Sequence, residues 1–229
     1  MTGLLLESPP LDVFGQMALD EALAQSRPDA FCIRFFRWTG PAATFGYAQR
    51  MAEVEVALPG GIGNNYTRRP TGGGVVPHLD DLTFSCVFPA KGALRPGDIY
   101  RRLHAAMVGG LRGLGLAATL CAGGRSGPRG RTGGASQCFQ EPVALDVMTE
   151  AGKALGGAIR RYGDTVLYQG SLQVPGGRDR AGEFEAAIRD SLGAEWKLEW
   201  EQGDAPTEVW AEAGTLGEKY RAEEWIRRR

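Results

Sequence analysis

The chain has 229 residues, 43% of them hydrophobic and 23% charged, with a formal net charge of −1. That length can bury a sizeable core and fits one large domain of ordinary globular composition. A charge so close to balance advertises neither nucleic acid nor an anionic membrane as partner. The opening MTGLLLESPP lacks a basic stretch and a long apolar run, so it reads as neither a signal peptide nor a membrane span. Cys32, Cys86, Cys121 and Cys138 form no CxxC pair, and His78 and His104 alone do not make a histidine-rich metal site. The expected setting is cytoplasmic, with free thiols.

In chain order, Val13 to Gln25 places Phe14, Met17, Ala18 and Ala22 at helical spacing behind Asp12 as N-cap. AFCIRFFRW alternates Phe31, Ile33 and Phe35 against Cys32, Arg34 and Phe36, which predicts a strand. TGPAATFGYAQ is expected to pair with it after a turn at Gly40-Pro41. LTFSCVFPA puts Leu82, Phe84, Cys86 and Phe88 on one strand face. Asp98 is the expected cap of a helix over Ile99 to Leu114, with Gly115 at its end. Residues 122 to 136, AGGRSGPRGRTGGAS, are rich in glycine and arginine and predict a mobile loop, either a lid over substrate or an unstructured insertion. VALDVMTE, KALGGAIRR and TVLYQGSLQV, parted by turn signals, predict a meander of three strands. Gly182 to Leu192, ending at Gly193, and Thr207 to Arg228 predict helices. Runs of strands with helices among them predict an α+β fold.

Chemistry concentrates in TRRPTGGGVVPH, Thr67 to His78. Three adjacent glycines would cost a plain strand backbone entropy and add no packing. They do let a ligand lie against bare backbone amides, while Arg68 and Arg69 supply forked donors for a carboxylate or phosphate. The alternative is a glycine-rich turn with surface arginines. His78, in PHLDD, is a base or proton shuttle in one reading and a polar anchor of the loop in the other; no nucleophile adjoins it in sequence, which favours positioning. Cys32 and Cys86 lie in apolar runs and Cys121 ends a helix-to-loop connection, so packing is expected of them. Cys138, in SQCFQEP, is polar on both sides, and exposure with a nearby positive charge is what a nucleophilic thiol needs. Lys153 starts a strand before Ala154-Leu155-Gly156-Gly157-Ala158, small neighbours that let it reach a narrow site as a point charge. The chain has only four lysines against twenty-two arginines. An ordinary cysteine and a solvated turn lysine are the respective alternatives.

Taken together, these blocks resemble the lipoate/octanoate branch of the biotin–lipoate protein ligase family, almost end to end. QMALDEAL is similar to its first helix signature, and IRFFRW with ATFGYAQ to its paired early strands. RRPTGGGVVPH resembles its acyl-binding loop, KALGGAIRR its lysine-plus-small-residue strand, LYQGSLQV the strand after it, and EKYRAEEWIRRR its ending. The resemblance implies a mixed sheet flanked by helices, forming one catalytic domain over residues 1–229 without a C-terminal accessory domain. It implies protein lipoylation, with octanoyl or lipoyl transferred to a specific lysine of a carrier domain. Catalytic roles fall to Cys138 and Lys153. Substrate-binding roles fall to Arg68, Arg69, Thr71, Gly72, Gly73, Gly74, His78, Gly156, Gly157 and Ala158. The implied partners are lipoyl domains of 2-oxoacid dehydrogenase complexes or the glycine cleavage H protein, without nucleic acid or membrane.

Two activation routes exist in the branch, and neither uses a tightly bound cofactor or a resident metal. Cysteine-dependent octanoyltransferases take octanoate from octanoyl-acyl carrier protein as a thioester. Cys138 fifteen positions before Lys153, the compact PHLDDLTFS and the missing extra domain resemble these. Lipoate–protein ligases form lipoyl-adenylate from lipoate and ATP with Mg. The GGG triplet resembles theirs; Gln169 and Leu79 stand where many relatives carry a histidine and an acidic residue. A non-catalytic acyl-binding protein and a biotin transferase are the remaining alternatives, opposed by Cys138 with Lys153 and by RRPTGGG respectively.

Overall fold

The computed structural model describes residues 2–90, 95–123 and 142–228. Cys138, and the 122–136 segment beyond its first two residues, lie outside the described residues. The elements are β1 (Thr2–Glu7), α1 (Val13–Gln25), β2 (Phe31–Phe35), β3 (Ala42–Phe45), α2 (Met51–Ala57), β4 (Tyr66–Arg68), β5 (Val75–His78), β6 (Leu82–Pro89) and α3 (Pro96–Gly113). They continue with β7 (Thr119–Leu120), β8 (Val147–Thr149), β9 (Gly152–Tyr162), β10 (Thr165–Leu172), α4 (Ala181–Trp196), β11 (Glu199–Asp204), α5 (Thr207–Arg221) and α6 (Glu223–Ile226).

Eight strands form a mixed sheet in the order β11-β1-β2-β6-β10-β9-β8-β7, with β1 parallel to both its neighbours and β2 antiparallel to β6. The expected α+β architecture, a mixed sheet flanked by helices, is therefore the one observed. Successive strand side chains point to opposite faces. On one face Ile33, Phe84, Cys86 and Tyr168 pack against Leu103 and Met107 of α3 and Phe184 and Ile188 of α4. On the other, Cys32, Val87 and Leu167 meet Leu19 and Leu23 of α1 and Val209 and Tyr220 of α5. The middle of this second face is polar although buried: Arg34, Thr83, Ser85, Gln169 and Ser171 all project into it. Here the separate three-stranded sheet, β4-β3-β5, joins the domain. Among the described residues, no helix is long and apolar enough to cross a membrane.

α1 has the expected bounds, and Asp12 Oδ1 accepts from Gly15 N–H at 2.7 Å. The meander β8-β9-β10 and the apolar face of β6 are also as the sequence predicts. Other expectations are corrected. β3 does not pair with β2, because both edges of β2 are taken by β1 and β6; it pairs with β4 and β5 instead. α3 starts at Pro96, whose fixed φ suits a first helical position, so Asp98 lies in the first turn and is not the cap. α4 runs through Gly193, where the missing side chain leaves room for the Trp200 indole, and ends at Lys197 with φ of 55°. The helix expected over Thr207 to Arg228 is broken at Ala222, which has ψ of 131°. β1, β11 and α2 were not legible: β11 is a largely polar edge strand, and β1 has no clean alternation.

A candidate acyl-transfer cleft

The two adjacent arginines part company. Arg68 is fully buried, and its guanidinium donates to the carbonyls of Tyr47 (2.7 Å), Gln49 (2.8 Å), Trp225 (3.1 Å) and Ile226 (2.8 Å). It ties β4 to the C-terminal helices and is not among the cleft-lining residues, contrary to the expectation of a ligand-facing fork. Arg69 turns the other way, donating to the carbonyls of Gly72 (2.7 Å) and Gly74 (2.9 Å) and to Thr44 Oγ1 (3.2 Å). The glycine triplet is thus folded onto one guanidinium. It also passes close to Gly46, where an added Cβ would sit 1.9 Å from the Gly73 carbonyl oxygen.

Thr71 and β10 connect this loop to the main sheet. Thr71 Oγ1 donates to Gln169 Oε1 at 2.7 Å, and Gln169 Nε2 donates to Asp20 Oδ2 at 2.8 Å. The other Asp20 oxygen pairs with Arg34 at 2.5 Å and accepts from Ser85 at 2.7 Å. Every partner is buried, so the network is tolerable only because its charges are paired and hydrogen-bonded.

His78 stacks on Trp38 with ring centroids 4.4 Å apart and sits between Asp81 (Nδ1, 2.9 Å) and Thr44 (Nε2, 2.9 Å). A carboxylate only accepts, so Nδ1 carries the proton. Burial pushes the Asp81 carboxyl up, but the charge and hydrogen bond of His78, with those from Thr83 and Ser171, outweigh it and hold the group below its ordinary value. His78 is therefore a fixed, braced side chain at the cleft.

Between these groups lies a cleft with about 420 Å³ of empty space, part of it open to solvent. Met17, Phe36 and Val76 supply apolar wall, while Gly156, Gly157 and Ala158 of β9 leave room for it. The floor beneath is braced from behind, since an added Cβ on Gly157 would lie 2.3 Å from the Tyr168 ring. Tyr168 Oη lies 2.8 Å from His104 Nε2, and His104 Nδ1 lies 2.6 Å from the Leu145 carbonyl. Because a carbonyl only accepts, His104 carries its proton on Nδ1 and receives the tyrosine's at Nε2. Burial lowers the His104 pKa and favours this neutral form.

Leu145 adopts φ of 74°, a left-handed conformation costly for a branched side chain, and directs Asp146 toward Lys153. Lys153 Nζ lies 2.9 Å from Asp146 Oδ2, both side chains being nearly inaccessible. Asp146 Oδ2 also accepts from the Val143 N–H at 2.8 Å. The lysine side chain crosses the cleft-lining Gly156, where an added Cβ would be 2.7 Å from Nζ.

Of the residues singled out from sequence, Arg69, His78, Gly156, Gly157 and Ala158 line the cleft. Thr71 reaches it through Gln169, and Lys153 lies at its edge. Asp20, Thr44 and Asp146 were missed. Asp146 did carry a signal, being a lone acid in the apolar stretch VALDVM, whereas Asp20 stands next to Glu21 and had none. Cys32 and Cys86 are packing, as expected: burial raises the Cys32 thiol to about 12 and pushes Cys86 well above its ordinary value. Among the described residues, no cluster of three His, Cys, Asp or Glu side chains could hold a metal ion.

A family model described as the lipoyl protein ligase A/B catalytic domain matches residues 12–188. Octanoyltransferase LipM of Moorella thermoacetica is 32% identical over 178 residues, which cover 75% of this chain and 64% of the relative. The chain thus spans less than two thirds of the length of the curated relatives it matches first. Among solved structures, lipoate-protein ligase A bound with ATP is 26% identical with a TM-score of 0.79, over 99% of each chain. A protein of T. acidophilum with bound lipoic acid shares the fold at 24% identity and a TM-score of 0.81, over 100% of each chain.

Proposed function

Because this chain belongs to the lipoyl protein ligase A/B catalytic-domain family, we propose that it transfers an octanoyl or lipoyl group to a specific lysine of a lipoyl-carrier domain, through a thioester on Cys138. The observation that supports this most is the juxtaposition at Gly156: a glycine-floored, partly apolar cleft with the buried Lys153 ammonium at its edge. In the first step the Cys138 thiolate attacks the carbonyl of octanoyl-acyl carrier protein, the carbonyl–sulfur bond to the carrier breaks, and the carrier leaves as its thiolate. In the second, the acceptor amine attacks the Cys138 thioester, an amide forms, and the thiolate departs as the amine loses its proton. Lys153 stabilises the oxyanion in both steps. The apolar wall holds the acyl chain, with the cleft-lining Arg69 fixing the glycine loop and His78 held beside it by Asp81 and Thr44. The acceptors are lipoyl domains of 2-oxoacid dehydrogenase complexes or the glycine cleavage H protein.

Intact-mass measurement of wild type incubated with octanoyl-acyl carrier protein is expected to show one octanoyl adduct, absent from Cys138→Ser together with transfer activity. Full activity of Cys138→Ser would exclude the thioester route. A second reading, ligation through lipoyl-adenylate from lipoate and ATP with Mg, is favoured by the Gly72–Gly74 triplet and by the full-length likeness to lipoate-protein ligase A. It requires pyrophosphate release when the protein, ATP, lipoate and a lipoyl domain are combined.

A further inference from the structure

A band of alternating aromatic rings and cations runs beside the cleft, made from parts of the chain far apart in sequence. Arg160 of β9 lies over the rings of Tyr162 (5.5 Å) and Tyr47 (4.9 Å). Arg228 lies over Tyr47 (4.5 Å) from the C-terminal side and over Trp225 (5.1 Å). Lys219 continues the series over Trp225 (4.2 Å). The band is moored to the glycine loop: Tyr47 N–H donates to the Thr71 carbonyl at 2.8 Å, and Arg160 Nη1 to the Pro70 carbonyl at 3.1 Å. Arg160 also follows Gly156 and Ala158 on the same face of β9, two residues beyond the cleft-lining Ala158.

The cations differ in how they are satisfied. Lys219 pairs with Glu21, and the neighbouring Arg227 with Glu55 and Glu223. Among the described residues, no carboxylate pairs with Arg160 or Arg228. Two guanidinium groups stacked on one tyrosine are held in place at low entropic cost, with their remaining donors available to an incoming acid. A chain of net charge −1 gains nothing in solubility from concentrating these cations at one spot.

We propose that the Arg160–Tyr47–Arg228 band is a docking surface for the acceptor protein, engaging carboxylates that flank its target lysine. This rests on the acyl-transfer function proposed above. Both activation routes require a protein lysine to reach the cleft, whereas only one requires a protein acyl donor, so the acceptor is the partner common to both. Charge at the rim of an interface acts on encounter and orientation, and so on affinity for the partner more than on the acyl step.

The experiment measures Kd, by calorimetry, between the full chain and an apo-lipoyl domain with Asp or Glu on both sides of its target lysine. Arg160→Glu/Arg228→Glu is expected to raise Kd about tenfold or more at low salt, with the gap closing at high salt. A lipoyl domain with both flanking acids changed to Lys is expected to bind the double variant better than it binds wild type. Arg160→Gln/Arg228→Gln, which keeps polar stems without reversing charge, gives a smaller change in the same direction and guards against misfolding, checked by thermal unfolding. An unchanged Kd in both double variants overturns the proposal, as does no binding by wild type. Loss of affinity for acyl carrier protein with acceptor affinity intact also overturns it, by assigning the band to the donor. Binding that behaves as expected in a protein that transfers no acyl group would count against the proposed function alone.

Discussion

Lys153 and Asp146 form an ion pair with almost no water around it, so neither partner can be removed cheaply. Under either activation route, Lys153→Ala is expected to lower turnover about a hundredfold, the scale of losing one electrostatic stabiliser. Single-turnover acyl transfer to a lipoyl domain measures it, and a change of only a few-fold would reduce Lys153 to a structural residue. The sequence singles out this lysine through KALGGA, where it precedes small residues. That Asp146 restrains it was not legible there, because the contact depends on the left-handed turn at Leu145. His104 supports both that turn and the cleft floor, and it makes a pH prediction. Its folded pKa is lowered below the ordinary 6.5, so below that pH the unfolded chain takes up a proton that the native site resists. Stability is therefore expected to fall as pH drops below about 6.5, and His104→Gln should flatten that part of the Tm–pH curve. Asp81 acts elsewhere: its lowered pKa stabilises the fold above the ordinary 3.8, and this is lost only in stronger acid.

At the scale of elements, the decisive contacts are backbone approaches. The glycine triplet can fold back on Arg69 only because β3 is followed by Gly46, against which the Gly73 carbonyl lies. Gly46→Ala must push that loop away, at a cost of about 1–3 kcal/mol. Its expected signature is a lowered Tm together with weakened octanoate or lipoate binding, and an unchanged Tm would show that the loop adapts freely. The long helices α1, α3, α4 and α5 and the β8-β9-β10 meander were legible because their signals are local: a periodicity, a turn, a cap. Strand pairing was less so. AFCIRFFRW and AATFG are neighbours in sequence and look like a hairpin, yet they enter different sheets because β1 and β6 occupy both edges of β2.

For the whole molecule, Asp20 is where the layers meet. It receives Arg34 from β2, Ser85 from β6 and Gln169 from β10, and through Gln169 it reaches the glycine loop. Asp20→Ala leaves the Arg34 guanidinium buried without its counter-charge, an effect of about 3–5 kcal/mol. In a domain of this size that corresponds to a Tm lower by roughly 6–20 °C, and a drop of less than about 3 °C would show that another group takes over the charge. The sequence by itself determined the α+β class, most element positions and the block TRRPTGGG with Lys153, because periodicity, turn chemistry and glycine content act over a few residues. Only the tertiary structure separated Arg68, a buried staple, from Arg69, which shapes the loop at the cleft. Only it joined Asp20 to Gln169, Asp146 to Lys153 and Tyr47 to Arg228, which are separate in the chain. Burial, charge pairing and close backbone approach are properties of what surrounds a residue in space, and two adjacent arginines are alike until the fold gives each its own surroundings.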